Sequence, residues 1–199
     1  MHKKSNIVTA IVVAALGLFL FACVTMPKPT KENFKAPSIA LESVAVTQYD
    51  GYWYFSKKIK PLKGEAGNYG APLPMSFVFN VTNPNKYPVR LDDFRFTIAF
   101  EDFDVNMVQS TATQWIPAGK TNQIAVPSML TTRQTLLTLL VPNALKVKAK
   151  GTNAWALLEK WWKGVPNYSV PIFVKGGAAT FSANGVEKVV PFSARFPQE

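Results

Sequence analysis

A strand-like alternation of residues is clearest over residues 75–82, where a large apolar side chain stands at every second position of MSFVFNVT. A period of two is typical of a β-strand with one buried face. The alternation stops at Asn83-Pro84-Asn85, which favours a turn because Pro84 fixes its own φ and Asn85 tolerates left-handed backbone. It resumes over residues 90–101, with apolar residues at Phe94, Phe96, Ile98 and Phe100. We therefore predict two strands joined by an Asn-Pro-Asn corner at the centre of the fold.

Two further stretches before residue 127 alternate in the same way. Residues 37–48 predict a first strand whose pattern slips near Ser43, as at a β-bulge. Residues 105–116 predict another strand, which ends at the turn sequence of residues 117–120, Pro-Ala-Gly-Lys. Ile124 and Val126 alternate after that turn.

Strand patterns return at the end of the chain. Residues 168–174 and 178–181 flank a pair of glycines, and residues 190–196 alternate again. Asn184-Gly185 is a strong signal for a two-residue hairpin turn. Several short strands separated by turns predict a mainly β fold, an antiparallel β-sandwich.

The sequence between these strand regions predicts helices. Residues 130–141 lack alternation and predict a helix that ends before Pro142. A second helix is predicted from a cap at Thr152 or Asn153 to Lys163, with Gly164 as its C-terminal stop. We therefore expect a helical insertion at about residues 130–164, before the last two strands.

The N-terminus predicts an exported lipoprotein. Residues 1–22 form a secretory signal, with a basic start and an apolar run over residues 7–22 that is shorter than the roughly 20 residues of a spanning helix. Residues 20–23, Leu-Phe-Ala-Cys, resemble a bacterial lipobox, so Cys23 is the expected lipid attachment site. An ordinary secretory signal with a chance cysteine is the alternative. Residues 23–36 are expected to form a tether, and residues 37–199 one domain.

Composition limits the chemistry of the mature chain. Its residues 23–199 lack histidine, and Cys23 is the only cysteine. Histidine-dependent nucleophile pairs, internal disulfides and His/Cys metal sites are therefore excluded, whereas carboxylate-only chemistry and calcium sites remain open. We expect no enzymatic activity, no catalytic residues, no metal and no cofactor. Removing residues 1–22 leaves 20 basic minus 12 acidic residues, a net charge of +8. Export makes nucleic acid an unexpected partner, whereas a solvated basic surface or anionic headgroups are compatible with that charge.

The strand sequences together resemble the group 2 late-embryogenesis-abundant family, which includes the water stress and hypersensitive response (WHy) domain. The most specific shared element is the corner Asn83, Pro84 and Asn85, followed by Tyr87-Pro88 and Leu91. The resemblance covers most of residues 37–196. It implies an immunoglobulin- or fibronectin-III-like β-sandwich with a structural or stress-protective role.

The second predicted helix carries the candidate binding residues. Its three tryptophans and several aliphatic residues fall on one face, opposite the charged residues. Three hypotheses remain open: the apolar face covers the β-core, it forms a lid over a lipid or other hydrophobic ligand, or it contacts a membrane through tryptophan and lysine. The candidate contacts are Trp155, Leu158, Lys160, Trp161, Trp162 and Lys163.

Charged clusters elsewhere are weaker candidates. Five acids lie within residues 92–104, but Asp93 and Glu101 are about 26 Å apart along an extended strand, so a shared calcium or acid–base site is not expected. The lysine runs at residues 57–63 and 146–150 are expected to be a solvated loop or an exposed strand face, with a headgroup or partner patch as the alternative.

These observations favour a non-enzymatic, membrane-anchored lipoprotein with a WHy-like domain and a structural, stress-protective or protein-interaction role. The alternative is a lipoprotein that binds or handles a lipid or another hydrophobic ligand, with the Trp-rich helical block as a lid. Expected partners are the membrane, through lipidated Cys23, and a lipid or an envelope protein. The expected location is the cell envelope, on the periplasmic face of the outer membrane if the host has two membranes.

Overall fold

The computed structural model describes residues 27–49, 51–52 and 70–198. The predicted signal peptide, Cys23 and the lysine run at residues 57–63 lie outside the described residues. Within them the protein is mainly β. Its elements in chain order are β1 (Ser38–Val46), β2 (Pro72–Thr82), β3 (Val89–Phe100), β4 (Phe103–Ser110), β5 (Gln114–Ile116), β6 (Thr121–Thr131), α1 (Thr132–Leu140), α2 (Ala144–Ala149), α3 (Ala154–Gly164), β7 (Ile172–Ala183) and β8 (Val186–Phe196).

The strands form two antiparallel sheets. One has three strands in the order β1-β2-β6. The other has five, in the order β4-β3-β7-β8, with β5 also paired to β3. The strands β2 and β3 therefore lie in different sheets, and the Asn-Pro-Asn corner carries the chain from one sheet to the other.

Phenylalanine rings fill the space between the sheets. Every second residue of β2 is buried, as its alternation predicted. Phe79 of β2 lies 4.9 Å from Phe94 and 5.3 Å from Phe96 of β3, measured between ring centroids. Phe192 of β8 joins them at 5.6 Å from Phe79. Aromatic pairs at these separations add to the stability that burial of their apolar area provides.

Several predicted turns are confirmed. The register of β1 shifts between Leu41 and Ser43, where a bulge was predicted. The amide of Lys120 donates to the carbonyl of Pro117 at 3.1 Å, which closes the predicted turn. Asn184 and Gly185 both have positive φ, as a two-residue hairpin between β7 and β8 requires.

Two strand predictions need correction. Residues 105–116 form two strands, β4 and β5, rather than one. The glycine pair does not separate two strands, because β7 runs through it with a register shift relative to β8 between Val174 and Gly177. A Cβ at Gly177 would lie 2.6 Å from the Phe192 ring, so glycine lets this ring of the core pack directly on the backbone.

The first predicted helix begins two residues later than expected. Leu130 belongs to β6, which continues through Pro127 and pairs with β2. Proline is tolerated there because β6 is an edge strand. The helix α1 starts after Thr131, whose side chain accepts a hydrogen bond from the amide of Gln134 at 3.2 Å.

The other helices confirm one prediction and correct two. Asn153 caps α3 as predicted, since its side chain accepts from the amide of Ala156 at 2.9 Å. Gly164 lies inside α3 rather than after it. A Cβ there would lie 2.5 Å from a methyl of Val170, so close packing explains this glycine. Residues 144–149, expected as loop or strand, form the short helix α2.

Candidate functional site

The strand directions give the domain two ends. The helices pack against the end where β3 turns into β4 and where β2 begins, which we call the helical end. The opposite end holds the Asn-Pro-Asn corner, the turn at residues 117–120 and the β7–β8 hairpin, and we call it the corner end. Strands of 11 or 12 residues separate the two ends, a distance of roughly 36 Å at 3.3 Å per residue.

The helical end buries three of the six predicted contact residues. Trp161, Trp162 and Leu158 are fully buried, whereas Trp155 is 42% exposed. Trp161 packs 5.6 Å from Phe100 and 5.5 Å from Phe103, between ring centroids. The indole N–H of Trp162 donates to the carbonyl of Ala71 at 3.2 Å. Both rings therefore form part of the core at this end.

Polar contacts hold α3 against the β3–β4 turn. Glu101, in that turn, has a φ of 54°. Its carboxylate accepts from the indole N–H of Trp161 at 3.2 Å and forms an ion pair with Lys160. Lys163 pairs with Glu159 on the same helix. Both lysines that were predicted as headgroup contacts therefore form ion pairs with acids of this domain.

A second set of ion pairs joins α2 to the same turn. Asp102 lies 3.3 Å from Lys146 and 3.1 Å from Lys150, measured from carboxylate oxygen to ammonium nitrogen. Partial burial raises the pKa of Asp102, but hydrogen bonds from Lys150 and Lys146 outweigh burial and hold this pKa below its usual value. Two of the lysines in the run at residues 146–150 therefore pair with an acid of the adjacent turn.

The acids of residues 92–104 do not form a common site. Asp93, the fifth residue of β3, accepts from the Gln109 side chain at 2.7 Å, while Glu101 and Asp102 lie beyond the C-terminal end of that strand. Within residues 27–49, 51–52 and 70–198, no group of three or more His, Cys, Asp or Glu side chains is placed to hold a metal ion.

An apolar groove lies between the three helices. Its volume is about 440 Å³, and it is lined by Leu139, Leu140, Ala144, Val147, Lys148, Gly151, Thr152, Asn153 and Ala154. Beside it Val141 is 70% exposed and Leu145 85% exposed. The sequence did not single out this groove, because α2 was not predicted.

The corner end is built around Asn83. Its side chain is fully buried, and its amide nitrogen donates to the carbonyls of Tyr87 at 2.8 Å, Ile116 at 3.1 Å and Pro117 at 3.2 Å. Its carbonyl oxygen accepts from the backbone amide of Asn85 at 2.9 Å, which forms an Asx turn where the sequence predicted a turn. Asn83 thereby ties together the corner, the start of β3 and the end of β5.

Asn85 binds the segment that precedes β1. Its side-chain oxygen accepts from the amide of Lys35 at 2.8 Å, and its side-chain nitrogen donates to the carbonyl of Lys35, also at 2.8 Å. Phe34 is buried beside Tyr87. Burial raises the pKa of Tyr87, whose hydroxyl donates to the side chain of Asn33 at 2.9 Å.

The predicted tether is therefore shorter than residues 23–36. From Asn33 to Lys35 the chain is bound to the domain by these hydrogen bonds and by burial of Phe34. The only sequence signal for this docking is one aromatic residue in a polar segment, without the periodicity that identifies a strand or helix.

A basic and aromatic surface surrounds this docked segment. Trp115 is 57% exposed and lines a hollow of about 520 Å³ together with Pro27, Lys28, Pro29, Tyr87, Pro88, Ala183 and Asn184. The guanidinium of Arg90 lies 5.9 Å from the centroid of its ring. Neither Trp115 nor this hollow was identified from the sequence, because β5 is only three residues long.

None of the helices in the described ranges is long and apolar enough to cross a membrane.

Comparisons with known proteins find similarity only to solved structures. No protein-family model and no curated protein matches the chain. A protein from Archaeoglobus fulgidus has a TM-score of 0.41 and 13% identity, covering 78% of this chain and 94% of its own. A Bordetella pertussis protein provisionally named ApaA has a TM-score of 0.40 and 11% identity, covering 81% and 90%. The structural-genomics target SoR45 has a TM-score of 0.43 and 10% identity, covering 81% and 87%. This level of similarity assigns neither a family nor an activity.

Proposed function

We propose that this protein is a non-enzymatic, lipid-anchored envelope protein whose domain has a structural, stress-protective or protein-interaction role. In this proposal Cys23 carries the acyl chains, and the domain is an immunoglobulin- or fibronectin-III-like sandwich of the WHy type. The periplasmic face of an outer membrane is the proposed location in a host with two membranes.

The observation that supports this proposal most is the docking of residues 33–35 on Asn85. It brings the start of the folded domain close to the proposed anchor, since Pro27 already lines a hollow of the corner end. A domain held by its corner end leaves the helical end directed away from the attachment point. The helical end, with its exposed Val141 and Leu145, is then the surface available to a partner.

The packing between the sheets also favours a structural domain over a domain that carries a lipid or another hydrophobic ligand. Phe79, Phe94, Phe96 and Phe192 are in mutual contact there. Trp161 and Trp162 are hydrogen-bonded parts of the core, so a lid formed by their side chains would have to break the packing of the helical end. A helix that opens readily is not expected from such contacts.

Binding of a hydrophobic ligand remains the second candidate function, but the proposed binding site is now a groove between the helices. The groove between α1, α2 and α3 is lined by Leu139, Leu140 and Val147. Its volume of about 440 Å³ falls within the usual range of small-molecule sites. The ligand would then lie outside the sandwich, on the helical block itself.

The anchor is tested by intact mass spectrometry of the protein purified from membranes. We expect a chain that begins at Cys23 and carries the added mass of acyl chains, because two or more acyl chains are needed for stable attachment. Cys23→Ser should lose the acyl mass and keep residues 1–22, whereas Thr25→Ala should be processed like the wild type. Unmodified Cys23 in the wild type would contradict the proposal.

Native spectra of the same samples would show a ligand in the groove as additional, dissociable mass.

A further inference from the structure

We propose that the corner end rests on anionic lipid headgroups, with the Trp115 side chain at the membrane interface. The surface concerned, here called the corner face, consists of Pro27, Lys28, Lys35, Lys86, Trp115 and Lys120. This inference rests on the proposed anchor at Cys23 and adds the orientation of the domain and the chemistry of the lipid that it contacts.

The length of chain between the anchor and the domain is the first reason. Four peptide steps join Cys23 to Pro27, and they span at most about 14 Å whatever their conformation. Pro27 lines the same hollow as Trp115. Acyl chains on Cys23 therefore enter the bilayer within a short distance of the corner face, whereas the helical end lies a full strand length farther away.

Charge is the second reason. The exposed charged side chains close to the docked segment and the corner are mostly lysines. They are Lys28, Lys31, Lys35, Lys86 and Lys120. Glu32 is an exposed acid among them, and Glu187 in the neighbouring hairpin is followed by Lys188. A cluster of lysines beside an acylation site is attracted to anionic lipids, and the attraction acts within about a Debye length of the surface.

The third reason is the exposed aromatic ring of the corner face. Trp115 stands on β5 at 57% exposure, and prolines 27, 29 and 88 line the hollow beside it. Tryptophan favours the boundary between headgroups and acyl chains, where its ring is in an apolar environment and its N–H can still meet polar groups. An exposed aromatic ring beside Lys28 and Arg90 fits an anionic bilayer surface better than it fits bulk water.

The two exposed tryptophans of the described chain provide a matched test, because they lie at opposite ends of the domain. Trp115 marks the corner face and Trp155 the helical end. The lipidated full-length mature protein is reconstituted into vesicles that contain brominated phosphatidylglycerol, whose bromine atoms quench tryptophan at short range. Quenching is compared between the wild type, Trp115→Phe and Trp155→Phe. Flotation of the same vesicles measures attachment separately.

We expect quenching in the wild type that is largely lost in Trp115→Phe and unchanged in Trp155→Phe. It should fall by about twofold or more in vesicles of brominated phosphatidylcholine, which lack the anionic headgroups. Quenching that depends on Trp155, or on neither tryptophan, would overturn the proposed orientation. Equal quenching in both lipids would overturn the anionic preference. Failure of the wild type to float would contradict the anchor itself, which separates that outcome from a wrong orientation.

Discussion

Asn83→Ala is expected to lower the free energy of unfolding by about 3–5 kcal/mol, because it leaves several buried backbone groups without partners. The side chain of Asn83 donates to three carbonyls and accepts from the amide of Asn85, all within 3.2 Å. Alanine removes these bonds and admits no compensating group at a fully buried position. Urea denaturation followed by circular dichroism would measure the change. A loss of this size is a large part of the stability of an ordinary domain.

The matched control is Asn122→Ala. Asn122 makes one side-chain hydrogen bond, to the carbonyl of Trp115 at 2.9 Å, in an exposed setting. Its replacement should cost about 1 kcal/mol or less. If Asn83→Ala and Asn122→Ala had similar effects, the corner would not be the structural centre that its hydrogen bonds indicate.

Trp161→Ala and Trp162→Ala should each cost about 3–5 kcal/mol, as expected when a large buried aromatic side chain is truncated and leaves a cavity. Trp161 would lose its contacts with Phe100 and Phe103 and its hydrogen bond to Glu101. Trp162 would lose its bond to the carbonyl of Ala71. Thermal unfolding monitored by near-ultraviolet circular dichroism would measure both effects.

Trp155→Ala serves as the control on the same helix. Trp155 is 42% exposed, so its truncation should change stability by about 1 kcal/mol or less. Normal stability in Trp161→Ala together with a loss of lipid binding would favour the lid hypothesis and contradict a core role. Destabilisation by Trp161→Ala and Trp162→Ala but not by Trp155→Ala would support α3 as the cover of the β-core.

Local sequence patterns predicted the structure correctly where interactions between neighbouring residues determine it. The period-2 alternation of β2 predicted its buried face, because residues at that spacing share one side of a strand. Asn184-Gly185 predicted the last hairpin, and Asn153 predicted the cap of α3. Asn83 was recognised through the turn that it forms, although the number of its bonds could not be read from the sequence.

Long-range contacts decided the features that the sequence did not predict. Pro127 locally suggests the end of a strand, but pairing with β2 extends β6 to Thr131. Trp155, Trp161 and Trp162 share one predicted apolar face, yet of the three only Trp155 is exposed. The reason is that the C-terminal part of α3, which carries Trp161, packs on the β3–β4 turn. Phe34 is isolated in sequence, and its docking depends on the bond between its neighbour Lys35 and Asn85, fifty residues farther along the chain.

The central claim is that the corner binds the N-terminal segment and so holds the anchored end close to the domain. Hydrogen exchange of the Lys35 backbone amide tests it most directly, because this amide donates to the side chain of Asn85 at 2.8 Å. We predict that its exchange is slowed more than about tenfold relative to an unstructured peptide. The protection should be lost in Asn85→Ala and kept in Asn122→Ala. Exchange of the Lys35 amide at the unstructured rate in the wild type would contradict the account.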